Sequence, residues 1–190
     1  MTVAKQLKRA RLNAGTTLRS AATNAGLAPS NLSEIENGRR DPATRLASRI
    51  AGSLGYRLAL IPQYNRASAA EVADVIAAAE RDQVAYRVFL QLADDLATVD
   101  PTARVLLTAE EPGLTKTRWD DAIAALVEMR LLEVGAPVPV WAQDRGVGSA
   151  DEWEPQRTRF PVAYSTDIED VPMQFRKRGI LITEAELTSV

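Results

Sequence analysis

Apolar residues recur at helical spacing through the N-terminal third of the chain. Val3, Leu7 and Ala10 fall three or four positions apart, with lysines and arginines between them. This spacing places one apolar stripe on a helix, so it predicts a first helix over residues 3–13. Gly15 follows the last periodic residue and ends the helix.

Two short helices are predicted next, separated by a tight turn. Thr17 can cap the second helix with its hydroxyl oxygen, and Gly26 ends that helix. Pro29 suits the first turn of a third helix, where its missing amide hydrogen is no loss, and Gly38 ends it. A turn of about three residues between two helices is the spacing of a helix-turn-helix motif.

A fourth helix and one short strand complete this region. The helix is predicted over residues 43–54, with Gly55 as its terminator, and the alternating residues 56–61 predict a strand before Pro62. A lone strand is not stable, so its expected partner is its own copy in a second subunit of a homodimer. The dimer-forming face of the strand would carry Tyr56, Leu58 and Leu60.

The rest of the chain is predicted to be a linker followed by mostly helical structure. Polar residues 63–68 form the linker. Between residues 135 and 166, prolines and glycines interrupt any regular spacing of apolar residues. Helices are expected over residues 69–80, 82–98, 101–108 and 117–132, from Asp167 to about 178, and after a capping box at Thr183 and Glu186. The predicted fold is mainly α, with one domain over residues 1–62 that carries the short strand and a second over 69–190.

Charge divides the chain in the same way as the predicted domains. The net charge is −2, yet residues 1–65 hold ten basic and three acidic side chains, which leaves −9 on the remaining residues. A basic domain joined to an acidic one favours nucleic acid as the partner of the first and another partner for the second. The alternative is that both charged surfaces are only solvated.

The composition argues against an enzyme. The chain has no cysteine and no histidine, which excludes disulfides, a Ser-His-Asp triad and most zinc sites. Its compact carboxylate pairs, Asp94-Asp95 and Asp120-Asp121, are helix neighbours that do not face each other. We therefore expect no enzymatic activity, no cofactor and no metal. Without a long apolar run or a signal-peptide core, the expected location is the cytoplasm, on the nucleoid when DNA is bound.

Three stretches of the basic domain carry a family resemblance. They are L-K-R-A-R-L-N-A-G-T-T-L, A-G-L-A-P-S-N-L-S-E-I-E-N-G-R-R and P-x7-I-A-x2-L-G. Residues 7–55 thereby resemble the helix-turn-helix domain of the Xre/Cro/lambda-repressor family. The resemblance implies a lambda-repressor-like domain of four to five helices, a third helix in the major groove of double-stranded DNA, and a structural ion pair between Arg11 and Glu36. Ala28 departs from the pattern, because the family usually has a capping Ser or Thr there, and a lost cap costs about 1 kcal/mol.

The third helix carries the candidate base contacts. Ser30 and Asn31 lie at its exposed start, and Asn can bond adenine through two hydrogen bonds. Glu34, one turn later, either accepts a hydrogen bond from cytosine N4 or pairs with a nearby arginine. The remaining candidate DNA contacts, mostly to the backbone, are Arg19, Pro29, Asn37, Arg39 and Arg40. The alternative is that these outward side chains are only solvated.

The acidic domain has a looser resemblance. R-W-D-x-A-I-A-A-L-V-E, P-V-P-V-W and F-R-K-R-G-I-L-I are similar to the C-terminal region of certain actinobacterial Xre-type proteins that are antitoxin-like partners of nucleotidyltransferase-like toxins. The candidate partner-binding residues are Trp119, Trp141, Trp153, Phe175, Arg176 and Arg178. Aromatic rings in a proline-rich segment, such as Trp141, Trp153 and Phe160, usually pack back over the helices; the alternative is an exposed aromatic patch that receives a partner.

These observations lead to one principal hypothesis of function and one alternative. The principal hypothesis is a sequence-specific transcriptional repressor, the antitoxin-like member of a toxin–antitoxin pair, which neutralises a protein partner through its acidic domain and represses its own operon. The alternative is a one-component regulator that senses a small molecule in the same domain. A toxin partner should co-purify with the chain, whereas a small molecule should raise its stability by mass action.

Overall fold

The computed structural model describes residues 3–60, 62, 64–149, 151–155 and 167–188. Over these residues the chain is mainly helical, as the sequence predicted, and it has no β-sheet. It divides into two compact units, Met1–Ile61 (unit 1) and Pro62–Val190 (unit 2). Each unit has its own hydrophobic core.

The described part of unit 1, residues 3–60, contains four helices. They are α1 (Val3–Asn13), α2 (Leu18–Asn24), α3 (Pro29–Glu36) and α4 (Thr44–Ser53). The hydroxyl of Thr17 accepts a hydrogen bond from the amide of Ser20 at 3.1 Å, which caps α2. Leu7, Leu32, Ile35 and Ile50 are fully buried at the centre of the unit. The small residues Ala21 and Ala22 allow α2 to pack closely against α3 and α4.

Residues 56–60 are not a strand in this single copy of the chain. A strand forms only beside a neighbour, and no described residue supplies one to this segment. Leu58 packs against the core of unit 1, whereas Leu60 is fully exposed and Tyr56 is 46 % exposed. Ile61, the last residue of the predicted strand, lies outside the described residues.

Unit 2 is built around six helices in its described part. They are α5 (Ala69–Ala77), α6 (Asp82–Thr98), α7 (Pro101–Thr108), α8 (Trp119–Leu132), α9 (Val140–Asp144) and α10 (Met173–Arg176). Ser68 and Glu71 cap α5 reciprocally, as the capping-box pattern predicted. Arg66 pairs with the buried Asp95 at 2.7 Å, so part of the predicted linker is bound to unit 2.

Helix α8 is the centre of unit 2. The sequence predicted an amphipathic helix here, but every residue from Trp119 to Leu131 except Asp121 is buried. The prediction of one solvent-facing side was wrong because α5, α6, α7, α9 and α10 all pack around this helix. Its start is held by Asp120, whose carboxylate accepts hydrogen bonds from the amides of Thr115 and Lys116 at 2.7 and 3.0 Å.

The C-terminal segment contains shorter helices than the sequence predicted. A single helix from Asp167 to about 178 was expected, but a 3-10 turn at Ile168–Asp170 is followed by the separate helix α10. Pro172 explains the break, because it has no amide hydrogen and disfavours a helical conformation at the residue before it. Conversely, α9 forms inside the proline-rich stretch where no helix was predicted. Phe160 lies outside the described residues.

Candidate nucleic-acid interface

The turn between α2 and α3 sets the angle between these two helices. Gly26 adopts a φ of 65°, a conformation that residues with a side chain rarely take. The next amide, that of Leu27, donates to the carbonyl of Ala22 at 2.8 Å and closes the end of α2. Pro29 then begins α3 at its first helical position.

A buried ion pair joins α3 to α1. Arg11 donates to both carboxylate oxygens of Glu36, from Nε to Oε1 at 2.7 Å and from Nη2 to Oε2 at 2.8 Å. Its Nη1 also donates to the carbonyl of Thr16 at 3.1 Å, so one guanidinium ties together α1, the following loop and α3. The hydrogen bond from Arg11 to Glu36 raises the pKa of Arg11. This bidentate geometry fixes both the position and the rotation of α3.

The face of α3 opposite the core is polar and accessible. Leu32 and Ile35 point inward and are fully buried, whereas Ser30 and Glu34 are exposed. Ser30 and Glu34 are four residues apart, which places them together on one face of the helix. Asn31 lies beside them and is half-buried. Ser30 and Asn31 therefore lie at the end of α3 that follows the turn, and Glu34 lies one helical turn further along.

The cations and the amide predicted to contact the DNA backbone lie on α2 and at the end of α3 and just beyond it. Arg19 is exposed on the first turn of α2, and Arg39 and Arg40 are exposed just after Gly38. Asn37, at the end of α3, receives a hydrogen bond from Lys8 Nζ at 3.4 Å and donates one to Ser33 Oγ at 3.3 Å. Phosphate groups attract such a rim of donors and cations around an inserted helix.

The start of α3 has no side-chain cap. Ala28 occupies the N-cap position and makes no side-chain hydrogen bond, as its departure from the family pattern implied. Pro29 is exposed beside it. The helix is thus held mainly by its packing on α1 and α2 and by the ion pair at its other end.

The aromatic surface predicted on unit 2 is largely inside it. Trp119, Phe175 and Arg178 were predicted to bind a partner, but each is buried, with exposed fractions of 4 %, 0 % and 0 %. Trp119 packs its ring against Phe89 at 5.3 Å between centroids and against Trp153 at 4.9 Å. The prediction is corrected for these three residues, because they hold the core together and offer no surface to a partner.

Arg178 has a structural role that sequence reasoning missed. Its guanidinium donates to the carboxylate of Glu128 at 2.8 Å and to the carbonyls of Ala142, Gln143, Arg145 and Gln174. These bonds attach α9 and the following loop to α8 and α10. The sequence offered one sign of this role, since Arg178 stands directly before Gly179 and a buried apolar segment.

The other candidate partner residues of unit 2 are less deeply buried. Trp141 and Trp153 are half-buried and pack against the core, as expected if the rings of the proline-rich segment pack back over the helices. Arg176 is exposed and donates to the carbonyl of Val171 at 3.0 Å. The described residues therefore do not bring the six candidates together into one exposed patch.

Two depressions lie on the surface of unit 2. One, of about 500 Å³, is lined by Glu169, Met173 and Arg176 among others; the other, of about 520 Å³, is lined by Glu128, Leu132 and Lys177 among others. Both are open to solvent and carry charged residues.

Within the described part of the chain, no group of acidic residues is placed to hold a metal ion. No described helix is long and apolar enough to cross a membrane.

Comparison with known proteins identifies the family of unit 1. Residues 7–61 match the helix-turn-helix family model, and the match runs from the middle of α1 through α4 to the segment after it. This region is therefore a helix-turn-helix domain of the Xre/lambda-repressor type, the DNA-binding domain of a transcriptional regulator. No curated protein and no solved structure matches the chain.

Proposed function

We propose that this chain, whose residues 7–61 form a helix-turn-helix domain of the Xre/lambda-repressor type, is a sequence-specific repressor that binds its operator as a homodimer. The observation that carries the proposal is the exposed polar face of α3, held in one orientation by the buried pair of Arg11 and Glu36. In this motif the second helix of the pair enters the major groove and its N-terminal residues contact base edges. Ser30 and Asn31 occupy those positions.

Electrostatic attraction supports binding to the DNA backbone. Unit 1 contains the ten basic and three acidic side chains of residues 1–65; of the basic ones, Arg19 is exposed on α2, and Arg39 and Arg40 are exposed just after α3. Each phosphate that such cations neutralise releases a counterion, so the affinity falls steeply as salt is added. Repression takes place on the nucleoid, in the cytoplasm.

A homodimer supports recognition of a two-fold operator. Domains of this type read half-sites about 34–36 Å apart, which requires two copies of α3 related by a two-fold axis. The segment from Tyr56 to Leu60 follows the domain directly and carries the fully exposed Leu60. Paired antiparallel with its own copy, this segment would cover Leu60 and satisfy its backbone groups.

Binding of duplex DNA by the full chain tests the proposal. We expect selection from a pool of randomised duplexes to yield a two-fold symmetric site, bound with a strong inverse dependence on salt. Asn31→Ala should lower discrimination at one base pair by about 1–3 kcal/mol. Arg39→Ala and Arg40→Ala should weaken binding to every duplex alike.

Arg87→Ala is the matched control for the arginine variants. Arg87 is exposed on α6 of unit 2, so its removal takes away the same charge outside the proposed interface. We expect it to leave the affinity unchanged within about twofold. Equal losses for Arg39→Ala and Arg87→Ala, or an Asn31 variant with an unchanged base preference, would contradict the assignment of the interface.

For unit 2 we propose binding of a protein partner, the toxin of a toxin–antitoxin pair. The proposal is supported by the acidic charge of the unit and by its sequence resemblance to antitoxin-like proteins. Co-expression with the product of the adjacent reading frame tests it, and we expect the two proteins to co-purify at moderate salt. Separate elution, together with a rise in thermal stability on adding a small molecule, would favour a ligand sensor instead.

A further inference from the structure

We propose that Glu34 recognises a cytosine in each half-site and thereby selects the operator; this inference rests on the proposed function. Glu34 lies on the exposed face of α3, one turn after Ser30. Among the described residues its carboxylate has neither a hydrogen bond nor an ion pair, whereas Glu36, the other acid of α3, is buried and bound by Arg11. No described arginine pairs with Glu34 in this structure, and this favours a base as its partner.

Glu34 is the only charged side chain on the exposed face of α3. Residues Pro29–Glu36 include no lysine and no arginine. Arginine and lysine make the commonest specific contact, to guanine O6 and N7, and this helix supplies neither of these cations from its own length. The nearest downstream cations, Arg39 and Arg40, lie beyond the turn at Gly38.

The chemistry of a carboxylate in the major groove points to cytosine. A carboxylate only accepts hydrogen bonds, and the groove donors are cytosine N4 and adenine N6. Adenine places its acceptor N7 beside N6, and guanine and thymine present acceptors, so a carboxylate meets repulsion at these bases. Cytosine presents the N4 donor alone on its edge, and it is the base that Glu and Asp recognise.

The same carboxylate weakens binding to DNA in general. A negative charge carried into the groove is repelled by the phosphates of every duplex, and only a donor at the right base offsets this repulsion. Removing the charge should therefore change two measurements in opposite directions. Affinity for a random duplex should rise, while discrimination at one base pair should fall.

The experiment uses the full chain and the duplex that it selects from a randomised pool. Affinity is measured for that duplex, for three duplexes in which one of the other base pairs replaces the conserved cytosine pair, and for a random duplex. We expect the wild-type chain to bind the cytosine site about 5- to 150-fold more tightly than its substituted forms, the range for one mismatched base pair. Glu34→Ala should bind all four forms equally. Glu34→Gln should prefer adenine at this position and should keep the wild-type base preference at every other position of the site.

Modified cytosines give a second measurement on the wild-type chain. In a paired duplex, a methyl group on N4 replaces the hydrogen that faces the major groove, whereas a methyl group on C5 leaves that hydrogen in place. N4-methylation of the conserved cytosine should weaken binding about as much as a base substitution. Methylation at C5 should have less effect.

Asp41→Asn is the matched control, because Asp41 is an exposed acid of unit 1 that lies outside α3. It should raise the affinity for all duplexes alike and leave the base preference intact. The inference is overturned if Glu34→Ala and Glu34→Gln behave in the same way as Asp41→Asn. A chain that selects no sequence from the pool overturns the proposed function itself, and this inference with it.

Discussion

At the scale of single residues, unit 1 depends on one buried pair of charges. Arg11 and Glu36 are 9 % and 5 % exposed, and each satisfies the other in a bidentate arrangement. A buried charge that loses its partner is costly, whereas replacing both members with apolar residues often costs little. The pair therefore matters more for the orientation of α3 than for net stability.

A double-mutant cycle checks this account of the pair. We expect Arg11→Met and Glu36→Leu each to destabilise unit 1 by about 3–5 kcal/mol, and the double variant to cost much less than the sum. Urea unfolding followed by circular dichroism gives these values. Arg19→Ala, which removes an exposed arginine of the same unit, should stay within about 0.5 kcal/mol of wild type. Additive effects of the two single changes would mean that the pair contributes no coupling.

Tyr86 links the stability of unit 2 to alkaline pH. Burial, and then the negative charge of Glu186, raise the pKa of Tyr86 to about 12. A tyrosine in the unfolded chain has a pKa of about 10, so between these two values the unfolded chain loses a proton that the folded chain keeps. The contribution of Tyr86 is therefore fully present below pH 10 and is lost as the pH rises toward 12.

Unfolding free energies measured between pH 10 and 12 test this linkage. We expect the stability of Tyr86→Phe to fall less steeply with pH than that of the wild-type chain, while the phenyl ring keeps its contact with Trp119. Tyr64→Phe, at an exposed site of unit 2, should retain the wild-type slope. Identical slopes for wild type and Tyr86→Phe would contradict the raised pKa.

At the scale of elements, the segment after α4 lacks, among the described residues, the neighbouring strand that it would need to form a strand itself. Residues 56–60 have no strand beside them within the described chain, and Leu60 is fully exposed. Leu58, in contrast, packs against the core of unit 1. Pairing between two copies would give the segment the neighbour that a strand needs.

Two variants of this segment test the proposed dimer. Leu58→Pro removes an amide donor and fixes φ, so we expect monomers that bind the operator far more weakly. Because Leu58 also packs on the core, Leu60→Asp provides a change at an exposed site, and it should likewise yield monomers by placing like charges together across the pair. Sedimentation measures the mass, and Leu114→Asp, at an exposed leucine of unit 2, is the control. A dimer that survives both changes would place the interface elsewhere.

At the scale of the whole molecule, each unit carries its own core and its own sign of charge. The core of unit 1 is small and rich in alanine, whereas that of unit 2 contains Phe89, Trp119 and Phe175. A domain of about 60 residues buries a smaller share of its surface on folding than a larger one and is correspondingly marginal. Unit 1 should therefore be the less stable of the two.

Separate expression of the units checks this division. We expect residues 1–61 and residues 62–190 each to give a helical circular dichroism spectrum and a cooperative thermal transition, with the lower midpoint in the first. Only the first fragment should bind duplex DNA. A fragment of residues 1–61 that is unfolded alone, while the full chain binds DNA, would show that unit 1 cannot fold independently.

The sequence by itself determined the helices of unit 1 and the capped helices of unit 2. Thr17, Gly26 and Gly38 place helix ends through local backbone chemistry, and Ser68 with Glu71 does the same for α5. The spacing of apolar residues also predicted the order of these helices and the residues of α3 that face outward. Such features could be predicted because each depends on residues within about one helical turn.

Only the tertiary structure decided which side chains of unit 2 are inside. A helical period identifies an apolar stripe, but it does not show how many neighbours pack around α8 or that Trp119 and Phe175 meet in one core. Arg178 was expected to bind a partner, yet it is buried, and Glu128 and carbonyls distant in sequence compensate its burial. These outcomes depend on contacts between residues 30 to 60 positions apart, which no local pattern specifies.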